Sequence, residues 1–434
     1  MKASLKRPLA ATEWLAALAL SAIVLTYGSK GPQFYLTWAT GCVVAAVALL
    51  LILVNGQLRQ SSFNACALCL AWVVYALAMT RFATDVSRHL QTIVLHAFYV
   101  VVLAALLGMC MSSFRTLVRS VGICTLLWVA FNSILLLAYL LGLVSYERDF
   151  SGVYYNRNTL AVSGSVLLSF WILLEKNFRA EYGRSVVALS IALLVAIVLS
   201  TLSTKGLLAV ALLLGLKVVA SKGARSFIAP AIIAVSVVAV LAVAGGAVIS
   251  RTQQKLAALT MVDREAELVG NSGAERVALL IASARVISSH PWTGVGVDNG
   301  RYHLFTPGFF VRYSRGKVDD VTEGKYSHNN YAEMLLNAGV PAFVLYYAPI
   351  VWLMLRCRKK RNVDGQRDDL RRFVYGALAL KLLMDVGMVS YNDLSHILLL
   401  VCSCLIYFRF LRLPTCVSSK RISARSIDVK AHAS

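Results

Sequence analysis

Charged residues are scarce in this sequence. Only 15% of its 434 residues are Asp, Glu, Lys or Arg, against about a quarter in an ordinary soluble domain. The length alone would suit two or three soluble domains. The mean hydropathy of +0.69 and a hydrophobic share of 58% exclude that reading. Acidic residues are scarcest, 21 against 43 Lys and Arg. No internal repeat and no low-complexity stretch interrupts the chain. The long polar gap in the middle holds no cysteine, so no disulfide framework is indicated. All nine cysteines fall in apolar runs or in the flanking basic loops. Cys66 and Cys69, with two residues between them, suit the packing of small side chains better than a metal or redox pair. The first 27 residues carry no small-residue cleavage pattern and read as a first anchor.

Long apolar runs are abundant. A helix needs roughly 20 apolar residues to span a bilayer. Runs of that kind cover 9–27, 34–54, 63–79, 90–110, 117–142, 159–174, 185–202, 206–220, 227–249, 331–355, 373–389 and 394–410. Twelve spans put both termini on one side. The N-terminus, short loops and tail on that side, with Arg119 and Arg409 at the span ends beside them, collect 25 Lys and Arg, and the short loops opposite hold six: Lys30, Arg81, Arg88, Arg148, Arg157 and Lys205. Basic short loops stay in the cytoplasm, so both termini are expected there. The net charge of +22 is then a topology signal. A soluble basic domain would invite a nucleic-acid partner; here none is expected.

The long gap, residues 250–330, falls outside the cytoplasm. It mixes ten Lys and Arg with eight Asp and Glu. Within it, Val277, Leu280, Ile281, Ala284 and Ile287 follow helical spacing, predicting an amphipathic helix over 274–289 on the membrane surface or the span ends. Pro291 closes it, and Gly294 and Gly296 read as turn residues. The expected units are a bundle over 1–249, the loop 250–330, three further spans over 331–412 and a polar, basic tail over 413–434.

Several residues on this outer side could carry chemistry. In Ser327-His328-Asn329-Asn330-Tyr331-Ala332-Glu333, Asn330 with Glu333 three residues on resembles a helix cap. His328 would sit at the mouth of a membrane helix, where the free N–H groups favour an anion and disfavour imidazolium, leaving a histidine able to take a proton. A polar interfacial cap is the plainer alternative. Arg276 opens the loop helix, as a solvated arginine or as a phosphate partner. Lys205, in the hairpin Ser203-Thr204-Lys205-Gly206, is a cation close to hydrocarbon, which is costly and commonly functional; its alternative is to snorkel to the surface. Arg157 stands similarly before the sixth span. Three cations and one potential base on one side suit a lipid-linked diphosphate carrying a sugar. Asp319-Asp320 could hold a metal, but a solvated acidic turn accounts for the pair.

Two spacings carry a family resemblance. Arg276-Val277-Ala278-Leu279-Leu280 is an Arg-x3-Leu, and His328 with Gly339 is a His-x10-Gly. Both resemble hallmarks of the bacterial O-antigen ligases. The stretch 274–299, with His290-Pro291-Trp292-Thr293-Gly294-Val295-Gly296, is similar to the wider ligase and polymerase superfamily. So are Thr204-Lys205-Gly206, where the family more often has Arg, and Asn156-Arg157-Asn158-Thr159-Leu160-Ala161. Lys205 cannot make the bidentate phosphate contact of an arginine. The resemblance implies an all-α polytopic membrane bundle of about twelve transmembrane helices, with a large periplasmic loop containing amphipathic helices, in the bacterial inner membrane.

It also implies a metal-independent, inverting glycosyl transfer that needs no cofactor, nucleotide sugar or ATP. The donor would be an undecaprenyl-diphosphate-linked polysaccharide and the acceptor a sugar hydroxyl of the lipid A core. His328 and Arg276 would be catalytic. Lys205, Arg157, Asn156, Asn158 and Asn329 would bind substrate. A polymerase or a protein-glycosylating sibling of the same superfamily is an alternative. A twelve-helix transporter is an alternative of another class, with Lys381 and Asp385, one turn apart, as its best intramembrane charges, although they could simply pair. The topology is testable. Reporter fusions after Ser221 and Arg361 should report cytoplasm, and fusions at Asn271 and Val318 the outside. A cytoplasmic signal at Val318 would put the expected site in the wrong compartment.

Overall fold

A computed structural model describes residues 10–26, 32–146, 150–154, 156–220, 272–304, 326–358 and 365–412. The ninth expected span, the Asp319-Asp320 pair and the tail lie outside the described residues, as does much of the loop. Among the described residues the chain is all helix, with no strand. The helices are α1 (Ala11–Thr26), α2 (Pro32–Val54), α3 (Gly56–Ala78), α4 (Val86–Cys110), α5 (Phe114–Leu140), α6 (Arg157–Leu173), α7 (Glu175–Tyr182), α8 (Arg184–Ser200) and α9 (Thr204–Ala220). Then come α10 (Ser272–Ser289), α11 (Asn330–Arg358), α12 (Gly365–Asp385) and α13 (Leu394–Ile406), the last continuing as a π-helical turn, Tyr407–Leu411.

Among the described residues six helices are long and apolar enough to cross a membrane: α2, α3, α4, α5, α11 and α13 with its π turn. The α6–α7 pair makes a seventh only as a span bent by 82°. Helices α1 and α8 are apolar but shorter. The chain is therefore a multi-pass membrane bundle. Its outward faces confirm the solvent: Leu36, Leu50, Ile134 and Leu140 are 64–72% exposed. So much bare apolar surface suits lipid, not water.

Short polar caps restart the helices. Asn55, Asp85, Ser113, Asn156 and Asp393 each accept a hydrogen bond from an amide of the helix they precede. Each cap satisfies a donor that the first turn leaves open. The cap of α11 is Asn329, whose Oδ1 accepts from Ala332 N at 3.0 Å. This corrects the expectation of Asn330. Asn330 is instead buried, and its Oδ1 accepts from Ser390 N (2.8 Å) and Tyr391 N (3.0 Å). Glu333 turns back to the amide and hydroxyl of Ser327.

Helix α11 is broken in the middle. Gly339 has φ +73°, and Pro341 has no N–H to give the carbonyl four residues back. The freed carbonyls of Leu336 and Asn337 accept from Val295 N (3.0 Å) and Gly296 N (2.9 Å), and Val340 N donates to Pro291 O (2.8 Å). The loop after α10 is thus bonded into the gap of α11. Thr84 N donates to Val295 O, Val297 N to His89 Nδ1 and the Tyr75 hydroxyl to Trp292 O. Arg88 pairs with Asp298 at 2.7 Å. The loop therefore rests on the ends of α3 and α4 as well.

Helix α10 packs on α11 through Leu279, Ala282, Val295, Leu304 and Leu336. Its buried face is not the expected one: Leu279 and Ala282 turn inward, while Leu280 and Ile281 are exposed. The helical period was right and its phase was set by the dock on α11.

Gly339 has no room for a side chain. A Cβ there would lie 2.2 Å from Trp292 O, at a backbone angle that L-residues avoid. Gly339→Ala should cost on the order of 2–5 kcal/mol from backbone strain and overpacking. Limited proteolysis should then cut within 272–304 faster than in the parent. Gly215→Ala, where a Cβ meets nothing within 4 Å, should be neutral or slightly stabilising and leave the cutting unchanged.

Candidate functional site

The turns that precede α4, α6, α9, α11 and α13 meet at one end of the bundle, and every expected site residue lies there. Asn156 caps α6 through Asn158 N at 2.8 Å. Arg157 is therefore fixed as the first residue of that helix, half-buried. Asn158 Oδ1 accepts from the Ser203 hydroxyl at 2.9 Å, tying α6 to the α8–α9 hairpin. Lys205 is the second residue of α9. Its aliphatic stem runs past the α12–α13 turn, with Cε 3.4 Å from where a Cβ of Gly387 would stand. Gly206 lets α9 approach closely, since a Cβ there would be 2.8 Å from Val198 and 3.2 Å from Ala161.

The same α12–α13 turn reaches α11. Asn329 Nδ2 donates to Val386 O at 3.0 Å, next to Gly387. Lys205 and the His328 segment are thus seated on adjacent residues of one turn. His328 is half-buried and held at φ +56°, a left-handed conformation uncommon outside glycine. Its ring lies 4.5 Å from that of Tyr326, centroid to centroid. Desolvation pushes the Tyr326 hydroxyl up, the Glu333 charge adds to the rise, and the charges of Arg276 and Arg301 oppose it. Tyr326 thus stands beside His328 and within reach of the Arg276 charge. Asn158 is tied to the hairpin of Lys205 through Ser203, and Asn329 ties the His328 segment to the turn that Lys205 lies against.

Three of the seven residues have a structural duty as well. Asn156, Asn158 and Asn329 spend a side-chain oxygen on local bonds. Sequence reasoning missed Tyr326 and Asp393. The Tyr326 ring stands two residues before His328, with no spacing to flag it. Asp393 caps α13 and is buried to 8% exposure. Burial first raises its carboxyl to about 6, while the amides of His396 and Ser395 and the charges of Lys205 and Lys381 pull the other way.

Directly beneath lies a buried polar network. Lys381 and Asp385 pair at 2.8 Å with no exposure of either side chain. Asp385 also accepts from the Tyr347 hydroxyl at 2.9 Å and from the Ser390 hydroxyl. Tyr347 in turn accepts from Asn330 Nδ2 at 2.7 Å, and Lys381 lies 5.0 Å from the Tyr346 ring centroid. The two intramembrane charges are spent on each other and on the turn that carries Val386 and Gly387. Among the described residues no three His, Cys, Asp or Glu side chains group as metal ligands. Cys69 stands apart from Cys66 in its contacts, with its sulfur 3.9 Å from that of Cys404.

Residues 188–347 match the O-antigen ligase family. The matched stretch is rather more than a third of the chain, and it contains Lys205, Arg276, His328, Asn329 and Gly339. It supports membership of the O-antigen ligase and polymerase superfamily, and with it a ligase- or polymerase-type role in O-antigen processing. Compared with curated proteins, the chain has no significant match.

The network generates a stability test. Asp385→Ala leaves Lys381 buried and uncompensated, which typically costs about 3–5 kcal/mol. Replacing both partners, Lys381→Met with Asp385→Leu, should be milder, because no charge is stranded. Unfolding of the detergent-solubilised chain should rank the variants in that order. Equal loss from both would show that the pair matters through packing, not charge.

Proposed function

We propose that this protein is an O-antigen ligase of the bacterial inner membrane. It moves polysaccharide from undecaprenyl diphosphate to a sugar hydroxyl of the lipid A core, on the periplasmic side. The observation that carries the proposal is the His328 ring against Tyr326, whose hydroxyl feels the Arg276 charge, at the end of the bundle where Lys205 and Arg157 also lie. These are the residue types a glycosyl transfer from a diphosphate requires.

The acceptor hydroxyl oxygen attacks the anomeric carbon of the donor sugar. The bond from that carbon to the diphosphate oxygen breaks, and its electron pair leaves with the diphosphate. The hydroxyl proton passes to the His328 imidazole. Negative charge grows on the diphosphate as it leaves, so a fixed cation there stabilises the transition state more than the ground state. Arg276 serves that role, with Lys205 and Arg157 as further partners. Attack opposite the leaving group inverts the anomeric centre. No metal is needed where three cations meet the diphosphate. The left-handed backbone of His328 and the Asn329 cap fix the direction from which the imidazole approaches.

A polymerase would use the same groups with a second repeat unit as acceptor, and a protein-glycosylating relative a Ser or Thr hydroxyl. Deleting the gene and running lipopolysaccharide on a gel separates these. Lost polysaccharide with accumulated lipid-linked chains supports ligation. One-repeat products mean polymerisation, and an unchanged ladder removes both.

The residues can be tested with purified donor and acceptor. His328→Ala should lower turnover about 10²–10⁴-fold, and Arg276→Ala about 10²–10³-fold. The double variant should be far less than multiplicatively worse, since both serve one transition state. Lys205→Arg should keep activity and Lys205→Ala should lose much of it. Near-parental turnover of His328→Ala would give the base role to another group and leave His328 as an interfacial cap residue.

A further inference from the structure

At the end of the bundle opposite His328, α13 opens into the π turn Tyr407–Leu411. Beside it lies a cavity of about 570 Å³, walled by Asn64 and Leu68 of α3, Trp352 and Arg356 of α11, and Phe408 and Arg412 of the π turn and its cap. The Arg356 guanidinium lies 5.6 Å from the Trp352 ring centroid, and that of Arg412 lies 5.5 Å from Phe408. A guanidinium held over a ring keeps its N–H fork for an acceptor.

Several other cations at this end are neutralised by carboxylates. Arg115 and Arg119 pair with Glu181, Arg179 and Lys217 with Glu175, and Arg372 with Asp368. Among the described residues no carboxylate pairs with Arg356 or Arg412. The remaining wall is Ala67, Leu68 and Tyr407 with one polar side chain, Asn64, and on the same helix α3 Phe63 and Val74 are bare, 67% and 69% exposed. Trp352 and Phe408 lie near the ends of their spans, the positions where membrane proteins enrich aromatic residues. An occupant that satisfies both walls must carry an anion and hydrocarbon together. A free phosphate satisfies only one of them.

We propose that this cavity binds an anionic phospholipid, with Arg356 and Arg412 on the headgroup phosphate and an acyl chain along Ala67 and Leu68. The site is separate from the transferase residues and stands whether or not that reading holds. Basic, aromatic-lined recesses between spans on the cytoplasmic side suit such lipids. The basic loops at this end of the chain put it there.

The test uses the full-length chain in micelles, with lipid retention read by native mass spectrometry. Phosphatidylglycerol should be retained at least about tenfold over phosphatidylcholine, since each basic residue near a headgroup contributes on the order of fivefold. Arg356→Ala with Arg412→Ala should weaken phosphatidylglycerol retention roughly 30-fold on the same basis. Arg356→Lys with Arg412→Lys should restore most of it. Equal retention of the two lipids, or an unchanged alanine variant, would overturn the proposal. A photoreactive phosphatidylglycerol on the parent chain needs no variant. Adducts within 64–68 and 407–412 support the site; adducts elsewhere, or full competition by millimolar inorganic phosphate, overturn it.

Discussion

The carbonyls of Leu336 and Asn337 would bond within an unbroken α11. Gly339 and Pro341 release them, and the amides of Val295 and Gly296 take them up. An open carbonyl inside a membrane span is costly, because hydrocarbon offers no hydrogen bond. The break and the loop therefore depend on each other. Through that dock α10 acquires its buried face, the Arg276 charge comes within reach of Tyr326, and the loop gains its hold on His89, Arg88 and Tyr75. The His-x10-Gly spacing then has a physical sense. His328 stands just outside the start of α11 and Gly339 marks the gap, about two and a half turns on, where the loop after α10 is bonded in.

The second constraint is the α12–α13 turn. Buried beneath it, Lys381 and Asp385 neutralise each other and fasten Ser390, Tyr347 and Asn330 into one network. From above, the turn presents Val386 to Asn329 and Gly387 to Lys205. These charges read most simply as structure. Their oxygens and donors are used up, which leaves little for transport of an ion or a proton.

The two ends of the bundle differ in chemistry. One gathers caps, turns and a few cations around a histidine. The other carries most of the arginines and lysines, and among the described residues nearly all that pair do so with carboxylates of α7 and of the first turn of α12. Helix α7 lies bent at 82° to α6 and is held there by Glu175 and Glu181. This division follows the cation asymmetry of the loops.

Composition and hydropathy determined the membrane bundle, because no other solvent accepts so many long apolar runs. They also gave the end at which Arg157, Lys205, Arg276 and His328 would gather, since helix order alone fixes which turns share a side. The cap of α11 was missed by one residue, because two adjacent asparagines offer the same chemistry and only the burial of Asn330 against Ser390 and Tyr391 separates them. The face of α10 was missed because its period can be read from spacing, but its phase depends on α11. Tyr326 and Asp393 were invisible for the same reason: neither has a spacing that marks it, and each acquires its surroundings from segments far away in the chain. The sequence by itself determined what must be buried in lipid and which residues could be reactive. The tertiary structure decided which of them meet, because a hydrogen bond across a broken helix depends on backbone groups that every residue carries and no sequence pattern distinguishes.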